Sequence, residues 1–332
     1  LVTGGLGFIG SAIVKQLIKK NYFVINIDCL SYAANLKNLQ EIENLKNYKF
    51  FKLDISNKNK LKKIFNKYRP EYIINCAAET HVDNSIVSSK GFIKSNIIGT
   101  FNLLECVKEL NLDSKNFKLF HQVSTDEVFG DSFKIKNAPK EISPYFPSSP
   151  YSASKASADH LVVAWGRTYK IPYSISICTN NYGPRQFPEK LIPKTIHNAL
   201  SGKKIPVYGD GKQIRDWLFV EDHASAVLKI LFSTKSKNNK FNISGNNQVT
   251  NIKLINTICN YLNNKVKQKP KKIQFFNELI EFVKDRPGHD RKYFLNSTKI
   301  KKSLNWMPKY KIKEGIENTV DWYLKNLNWW KK

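Results

Sequence analysis

The chain has 332 residues, 41% of them hydrophobic, and a formal net charge of +27. That length exceeds one compact core and predicts two unequal, interleaved domains, while no apolar run approaches the ~20 residues of a membrane-spanning helix, which argues against a membrane protein. The charge raises a polyanionic partner, but the lysines are spread among Asn and Ile with no Arg-rich or aromatic-interleaved patch, so it is read as biased Lys/Asn usage on a solvated surface, which an anionic small molecule would also suit, and nucleic acid is not expected.

In chain order, Leu1 to Thr3 reads as a strand, followed by Thr3-Gly4-Gly5-Leu6-Gly7-Phe8-Ile9-Gly10 and a helix striped by Ile9, Ile13 and Leu17. Between a strand and a helix, such glycines permit a tight turn and bring the backbone close to a pyrophosphate at the helix N-terminus. Gly4, Gly7, Phe8, Ile9 and Gly10 are therefore read as dinucleotide-binding. A second strand, Phe23 to Ile27, is followed by Asp28, whose carboxylate suits a ribose 2′-OH and repels a 2′-phosphate, favouring NAD over NADP. The third strand, Phe50 to Leu53, precedes Asp54-Ile55, which could meet the adenine. The fourth, Tyr72 to Cys76, precedes Ala77-Ala78-Glu79-Thr80, where small residues leave room for the nicotinamide half.

Helices are expected near residues 58 to 68, 92 to 110 and 151 to 170, with a fifth strand at Lys118 to Val123 and a sixth at Ser174 to Cys178. The alternation predicts an α/β fold: a Rossmann-type, doubly wound, mostly parallel sheet over residues 1–180 with helices on both faces. Beyond it, Gly183-Pro184, Phe187-Pro188, Ile192-Pro193, Gly209-Asp210-Gly211 and Pro287-Gly288 mark loops and short elements. Residues 181–332 are read mainly as a smaller, mixed substrate domain, with a segment near 215–245 returning to the first. Trp306, Trp322, Trp329 and Trp330 are assigned to packing. The five cysteines form no C-x-x-C and no zinc-spaced cluster, so no metal is expected and the thiols suit the cytoplasm.

Ser124-Thr125-Asp126-Glu127 follows the fifth strand at the carboxyl edge, where ligands bind in open α/β sheets. Tyr151 and Lys155, at i and i+4, share one face of the next helix, where the ammonium would favour the phenolate and make the Tyr a base near neutral pH. Oxidising an alcohol needs only that pair. Two adjacent carboxylates imply a further step, such as removal of a C–H proton and loss of a hydroxyl as water.

Together with AAETHVDNS, SPYSASKASADHL, NNYGPRQFPEKLIP, PVYGDGKQIRDWLFVEDH and DRPGHDRKY, these motifs run along nearly the whole chain, which resembles the dTDP-glucose 4,6-dehydratases of the extended short-chain dehydrogenase/reductase superfamily. The resemblance implies that Tyr151 takes the sugar 4-OH proton with Thr125 bonded to that oxygen, that Glu127 removes the C5 proton, and that protonated Asp126 helps the 6-OH leave. It also implies cofactor contacts from Leu30, Ser31, Ser95 and Asn181. Substrate contacts would come from Thr80, His81, Asn180, Lys190, Leu191, Pro206, Val207, Tyr208, Arg215, Asn251, Asp285, Arg286, Pro287, Gly288 and His289. A homodimer through helices near 95–110 and 152–168 is likewise expected. Asn84, where the family usually has Arg, and Phe129, where Tyr is commoner, depart from the pattern. The competing readings are a UDP- or CDP-sugar dehydratase, a UDP-sugar 4-epimerase or decarboxylase, which would not need Asp126 and Glu127, and a non-catalytic RNA-associated relative of the fold.

Overall fold

The computed structural model describes residues 1–113, 116–133, 135–270, 273–285 and 287–329, without the side chains of 111–113; Arg286 and Trp330 lie outside the described residues. The first half comprises β1 (Val2–Thr3), α1 (Phe8–Lys19), β2 (Val24–Asp28), β3 (Tyr48–Lys52), α2 (Lys58–Tyr68), β4 (Tyr72–Asn75), α3 (Val82–Val87), α4 (Lys90–Phe92), a π-helical stretch Ile93–Gly99, α5 (Thr100–Asp113), β5 (Leu119–Thr125), α6 (Pro150–Tyr169) and β6 (Tyr173–Cys178). The second half comprises β7 (Asn180–Tyr182), α7 (Leu191–Leu200), β8 (Ile205–Tyr208), β9 (Ile214–Phe219), α8 (Val220–Leu231), β10 (Asn239–Ile243), β11 (Gln248–Thr250), α9 (Asn251–Lys265), β12 (Ile280–Val283), α10 (Thr298–Leu304) and α11 (Ile312–Lys325).

Seven strands form one sheet in the order β10-β6-β5-β4-β1-β2-β3, with every pair parallel. Parallel strands need helical crossovers, so both faces are covered and the central strands are buried even where they carry polar residues such as His121, Gln122 and Ser176. All seven residues of β5 are buried. One face packs Ile27, Leu61, Ile73, Leu103 and Val107; the other packs Ile13, Val14, Leu17 and Ile18 of α1 against Ala224, Val227, Leu228 and Leu231 of α8. Each fully buried aliphatic side chain contributes about 1.5–3 kcal/mol of transfer energy. Replacing Leu17 or Val227 by a charged residue would break that seam.

Sequence and structure part at three places. The helix expected at 92–110 is interrupted by the π-helical stretch, whose wider turn aims Ser95 into the central cleft and Asn96 at the loop after β4. β9 does not join the large sheet but lies between β7 and β11 in a sheet of its own; α8 and β10 are what rejoin it. α10 also packs there, setting Ile300 and Leu304 against Phe241 and Ile243 of β10. Outside this layer, α7, α9 and α11 enclose a separate core with Tyr182, Trp217 and Tyr323 at its centre, and β8 pairs β12 at its edge. No helix among the described residues is long and apolar enough to cross a membrane.

Candidate active site

The topological break between β1 and β4 opens the crevice that the doubly wound order predicts. The chain leaves β1 through Gly4 at φ +67°, pressed so close to the exit of β4 that a Cβ would lie 2.8 Å from the Ala77 nitrogen. At Gly10 a Cβ would lie 2.2 Å from the Gly4 carbonyl oxygen, so the turn and the first turn of α1 close only around glycine. Gly7, Phe8 and Ile9 face the cleft, where the amides at the start of α1 are available to an anion. The Asp28 carboxylate accepts from Leu6 N (3.0 Å) and Leu30 N (2.9 Å), and it too lines the cleft. Burial pushes this carboxyl up, and the two amide bonds oppose the shift.

The cleft, about 280 Å³, runs along the carboxyl edge from Asp28 to Lys190. At one end stand Ser31, Asp54 and Ile55. Burial raises the Asp54 carboxyl, but its bonds to Lys94 (2.9 Å) and Ser56 N (2.8 Å) carry it below the ordinary range. Ala77, Ala78, Glu79, Thr80, Ser95, Asn180 and Asn181 also line the cleft. Asn96 fixes the Glu79 backbone through both its N–H (2.9 Å) and its carbonyl (3.1 Å). His223 Nδ1 pairs with Asn181 Oδ1 at 2.8 Å. The glycine turn, the two Ala residues and the buried acid together fit a dinucleotide carrying a free ribose 2′-OH.

Thr125, Asp126, Glu127, Tyr151 and Lys155 meet in the middle of this cleft. Register puts them there: Thr125 ends β5 opposite Cys178 of β6, and Ser149 caps α6 in a capping box with Ser152, Pro150 standing at the first turn. Asp126 is buried, with Oδ1 near the Thr125 hydroxyl (3.3 Å) and Oδ2 without a hydrogen-bond partner. Burial, then the neighbouring Glu127 charge, drives the Asp126 carboxyl well above the usual range. Glu127 is only half-buried. Two adjacent acids thus sit in unlike surroundings, and the deeper one holds its proton.

The Tyr/Lys pair departs from expectation. Tyr151 is hydrogen-bonded to Thr125, but burial, with Glu127 next, pushes its phenol well above the usual value. The Lys155 ammonium donates to the Val123 carbonyl at 2.6 Å. Its charge is spent on the strand and on Asp159, and burial lowers its own pKa.

The residues expected around a substrate separate into two groups. Thr80, Asn180 and Lys190 line the cleft, with Lys190 Nζ bonded to the Thr80 carbonyl at 2.8 Å. A second cluster gathers β8, Asn251 and the loop after β12. There Asp285 bonds His289 (2.6 Å) and Gln213 (3.2 Å), while the His289 ring stands edge-on to Tyr208. Pro206 and Val207 are held by pairing with Glu281 and Phe282, and Pro287 and Gly288 form an exposed turn. Arg215 links the two groups: its guanidinium lies 4.4 Å from the Tyr293 ring centroid, donates to the Asp290 carbonyl (2.8 Å), and pulls against the rise at Asp126. His81 caps α3, accepting from Asn84 N at 3.3 Å, and Leu191 packs at the start of α7. Neither lines the cleft. Buried acceptor oxygens on Asn180, Gln186, Gln213 and Asn251 make no hydrogen bond. Such atoms are costly unless a ligand satisfies them.

Sequence reasoning missed Cys76, Cys178, Thr179, Gln186, Phe187 and Glu189, which also line the cleft, and Tyr293 beside Arg215. The two thiols are pushed up to about 12 by burial and stay neutral.

Residues 1–319 match the family model described as GDP-mannose 4,6 dehydratase. A dTDP-glucose 4,6-dehydratase of Haemophilus influenzae is 49% identical over 331 residues, covering 98% of each chain. The structure of dTDP-glucose 4,6-dehydratase from Bacillus anthracis in complex with NAD superposes with a TM-score of 0.86 at 41% identity, covering 99% of this chain and 97% of that one. A Streptomyces venezuelae dTDP-glucose 4,6-dehydratase with NAD bound gives 0.90 at 35%, covering 99% and 98%. The chain belongs to the GDP-mannose 4,6 dehydratase family, and its likeness along 98% of its residues is to a dTDP-glucose 4,6-dehydratase.

Proposed function

We propose that the chain is a dTDP-glucose 4,6-dehydratase, a hydro-lyase that converts dTDP-glucose to the 4-keto-6-deoxy sugar with NAD retained. The observation that carries this is the pair Asp126 and Glu127, one buried and uncharged, the other half-buried, beside Tyr151 in a dinucleotide cleft. NAD, when bound, supplies the acceptor that holds the C4 hydride and returns it at C6. Burial keeps Tyr151 a phenol here; the positive charge of bound NAD would offset that and favour the phenolate, which, hydrogen-bonded to Thr125, takes the 4-OH proton as that hydride leaves. The resulting 4-ketone acidifies C5–H, and Glu127 removes this proton. Asp126 gives its proton to the 6-OH, which departs as water. Glu127 then returns its proton to C5. Over one cycle Tyr151 gains a proton and Asp126 loses one; Thr125, bonded to both, connects them.

Asp28 would bind the adenosine ribose and disfavour a 2′-phosphate. Residues 1–180 with 220–243 form the cofactor domain in this reading, and the remaining second-half segments hold the nucleotide. Arg215 has a fork suited to a diphosphate. The unbonded oxygen of Asn251, whose backbone N–H donates to Gln213, itself bonded to Tyr208 and Asp285, suits the base. We also propose a homodimer through the π-helical stretch with α5 and through α6, supported by the exposed Ile98 of the former and Tyr169 of the latter. Five free thiols support a cytoplasmic location.

The test is incubation with dTDP-glucose and, separately, with UDP-glucose, reading a product lighter by one water. Loss of water from dTDP-glucose is expected. No dehydration of either sugar would overturn the proposal, and preference for UDP-glucose would reassign the base.

A further inference from the structure

The segment after α11 leaves the substrate core and crosses to the glycine turn. Trp329, 6% exposed, keeps its ring in that core, edge-on to Trp322 at 5.4 Å. Its indole N–H points the other way and donates to Asn38 Oδ1 at 3.0 Å. Asn38 is wholly buried, and its amide donates to the Leu6 carbonyl at 2.8 Å. Leu6 lies inside the glycine turn, and its own N–H donates to Asp28 Oδ2. A second strut runs parallel: Asn35 Nδ2 donates to the Trp329 carbonyl at 2.9 Å, and Asn35 N to the same Leu6 carbonyl at 3.1 Å.

Each link is a directional bond, and the three bonds from Trp329 to Asp28 are buried. Packing alone does not require them. A phenylalanine would fill most of the same core volume, whereas only an indole donor satisfies Asn38 from this side. Asn38, bonded at both ends, has one orientation available. The path ends on the acid that faces the cofactor ribose, so its effect falls on the cofactor site and not on the reactive acids.

We propose that Trp329 is a positioning residue for the cofactor: through Asn38 it holds the Leu6 peptide and Asp28 in the geometry that retains NAD, so the substrate domain contributes to cofactor affinity without touching the cofactor. This rests on the NAD-dependent reading above. It also gives the tail a role beyond the packing assigned to it from sequence.

The experiment compares the whole chain with Trp329→Phe, Asn38→Leu, the double variant and Trp322→Phe, measuring NAD retained after purification, NAD affinity by titration of stripped protein, and the melting temperature of each. Trp329→Phe is expected to weaken NAD binding about five- to tenfold, the weight of one buried hydrogen bond, with most of the lost turnover recovered by added NAD. Asn38→Leu should match or exceed it, and the double variant should lose less than the product of the two single effects, since they cut one path. Trp322→Phe, in the same aromatic cluster, should leave NAD affinity where it was. Equal NAD affinity in Trp329→Phe and the parent, with only a lower melting temperature, overturns the proposal, as does a fully multiplicative double variant. Because binding is read directly, a parent that holds NAD but dehydrates no sugar sinks the functional reading while the Trp329 comparison stands on its own result.

Discussion

The two halves of this chain make their binding surfaces by different means. Up to Cys178 the cofactor side is built from backbone: a parallel sheet, a helix N-terminus and glycines at which a Cβ would collide with main chain 2.2–2.8 Å away. Beyond Asn180 the surface is built from side chains brought together by discontinuous segments, as where Tyr208, Gln213, Asp285 and His289 meet. Backbone geometry tolerates almost no substitution but reads directly from local sequence. Side-chain networks tolerate more and read poorly.

The sharpest test of that contrast is Gly10→Ala, one methyl group against the Gly4 carbonyl. It should abolish NAD binding, measured by titration on whatever folded protein is recovered; unchanged affinity would remove the backbone argument. Next, Glu127→Gln should fold normally, reduce bound NAD on mixing with dTDP-glucose, and lower kcat by roughly 10²–10⁴-fold without solvent deuterium entering C5. Normal deuterium uptake would strike Glu127 from the role of base. On the substrate side, Arg215→Lys should raise the dTDP-glucose KM roughly tenfold and leave NAD affinity intact, because a point charge replaces a two-pronged donor. A shift in NAD affinity of equal size would mean that the halves are not separable in this way.

The smallest effect concerns stability. The folded Asp126 keeps its proton to a higher pH than the unfolded chain does, so above about pH 4 the folded state holds a proton that unfolding releases, and stability falls as pH rises toward the folded pKa. Asp126→Asn removes that penalty. The variant should be inactive yet more stable than the parent, with a gap that widens from pH 4.5 to pH 8 in urea unfolding. Parallel pH curves for the two proteins would show that burial does not hold this acid neutral.

Much of this was legible beforehand. The glycine turn, Asp28, and the two motifs at β5 and α6 each fit within a few residues, and strand–helix alternation sufficed to place them at one edge. What stayed hidden depends on long-range contact. Nothing local says that Asn96 will clamp Glu79, since that follows from a π-helical turn, or that β9 will pair with β7 and not enter the large sheet. The Tyr151/Lys155 spacing placed the pair on one helical face, but not the Val123 carbonyl that takes the ammonium. Asn38 to Trp329 spans 291 positions, beyond any periodic pattern.

The route of the chain between its layers also bears on modularity. It leaves the large sheet at Thr179, re-enters with α8 and β10, leaves again through Ser244–Asn247, and touches the sheet once more with α10. At the two exits a backbone bond prolongs the adjoining strand pairing, Thr179 N to the Ile243 carbonyl at 3.0 Å beside β6 and β10, and Trp217 N to the Asn247 carbonyl at 3.2 Å beside β9 and β11. A chimera spliced once near residue 180 would therefore carry away its own edge strand and the helix that covers α1. Exchanging sugar specificity between relatives calls for grafting several short segments onto a retained β10 and α8, not for swapping a cassette.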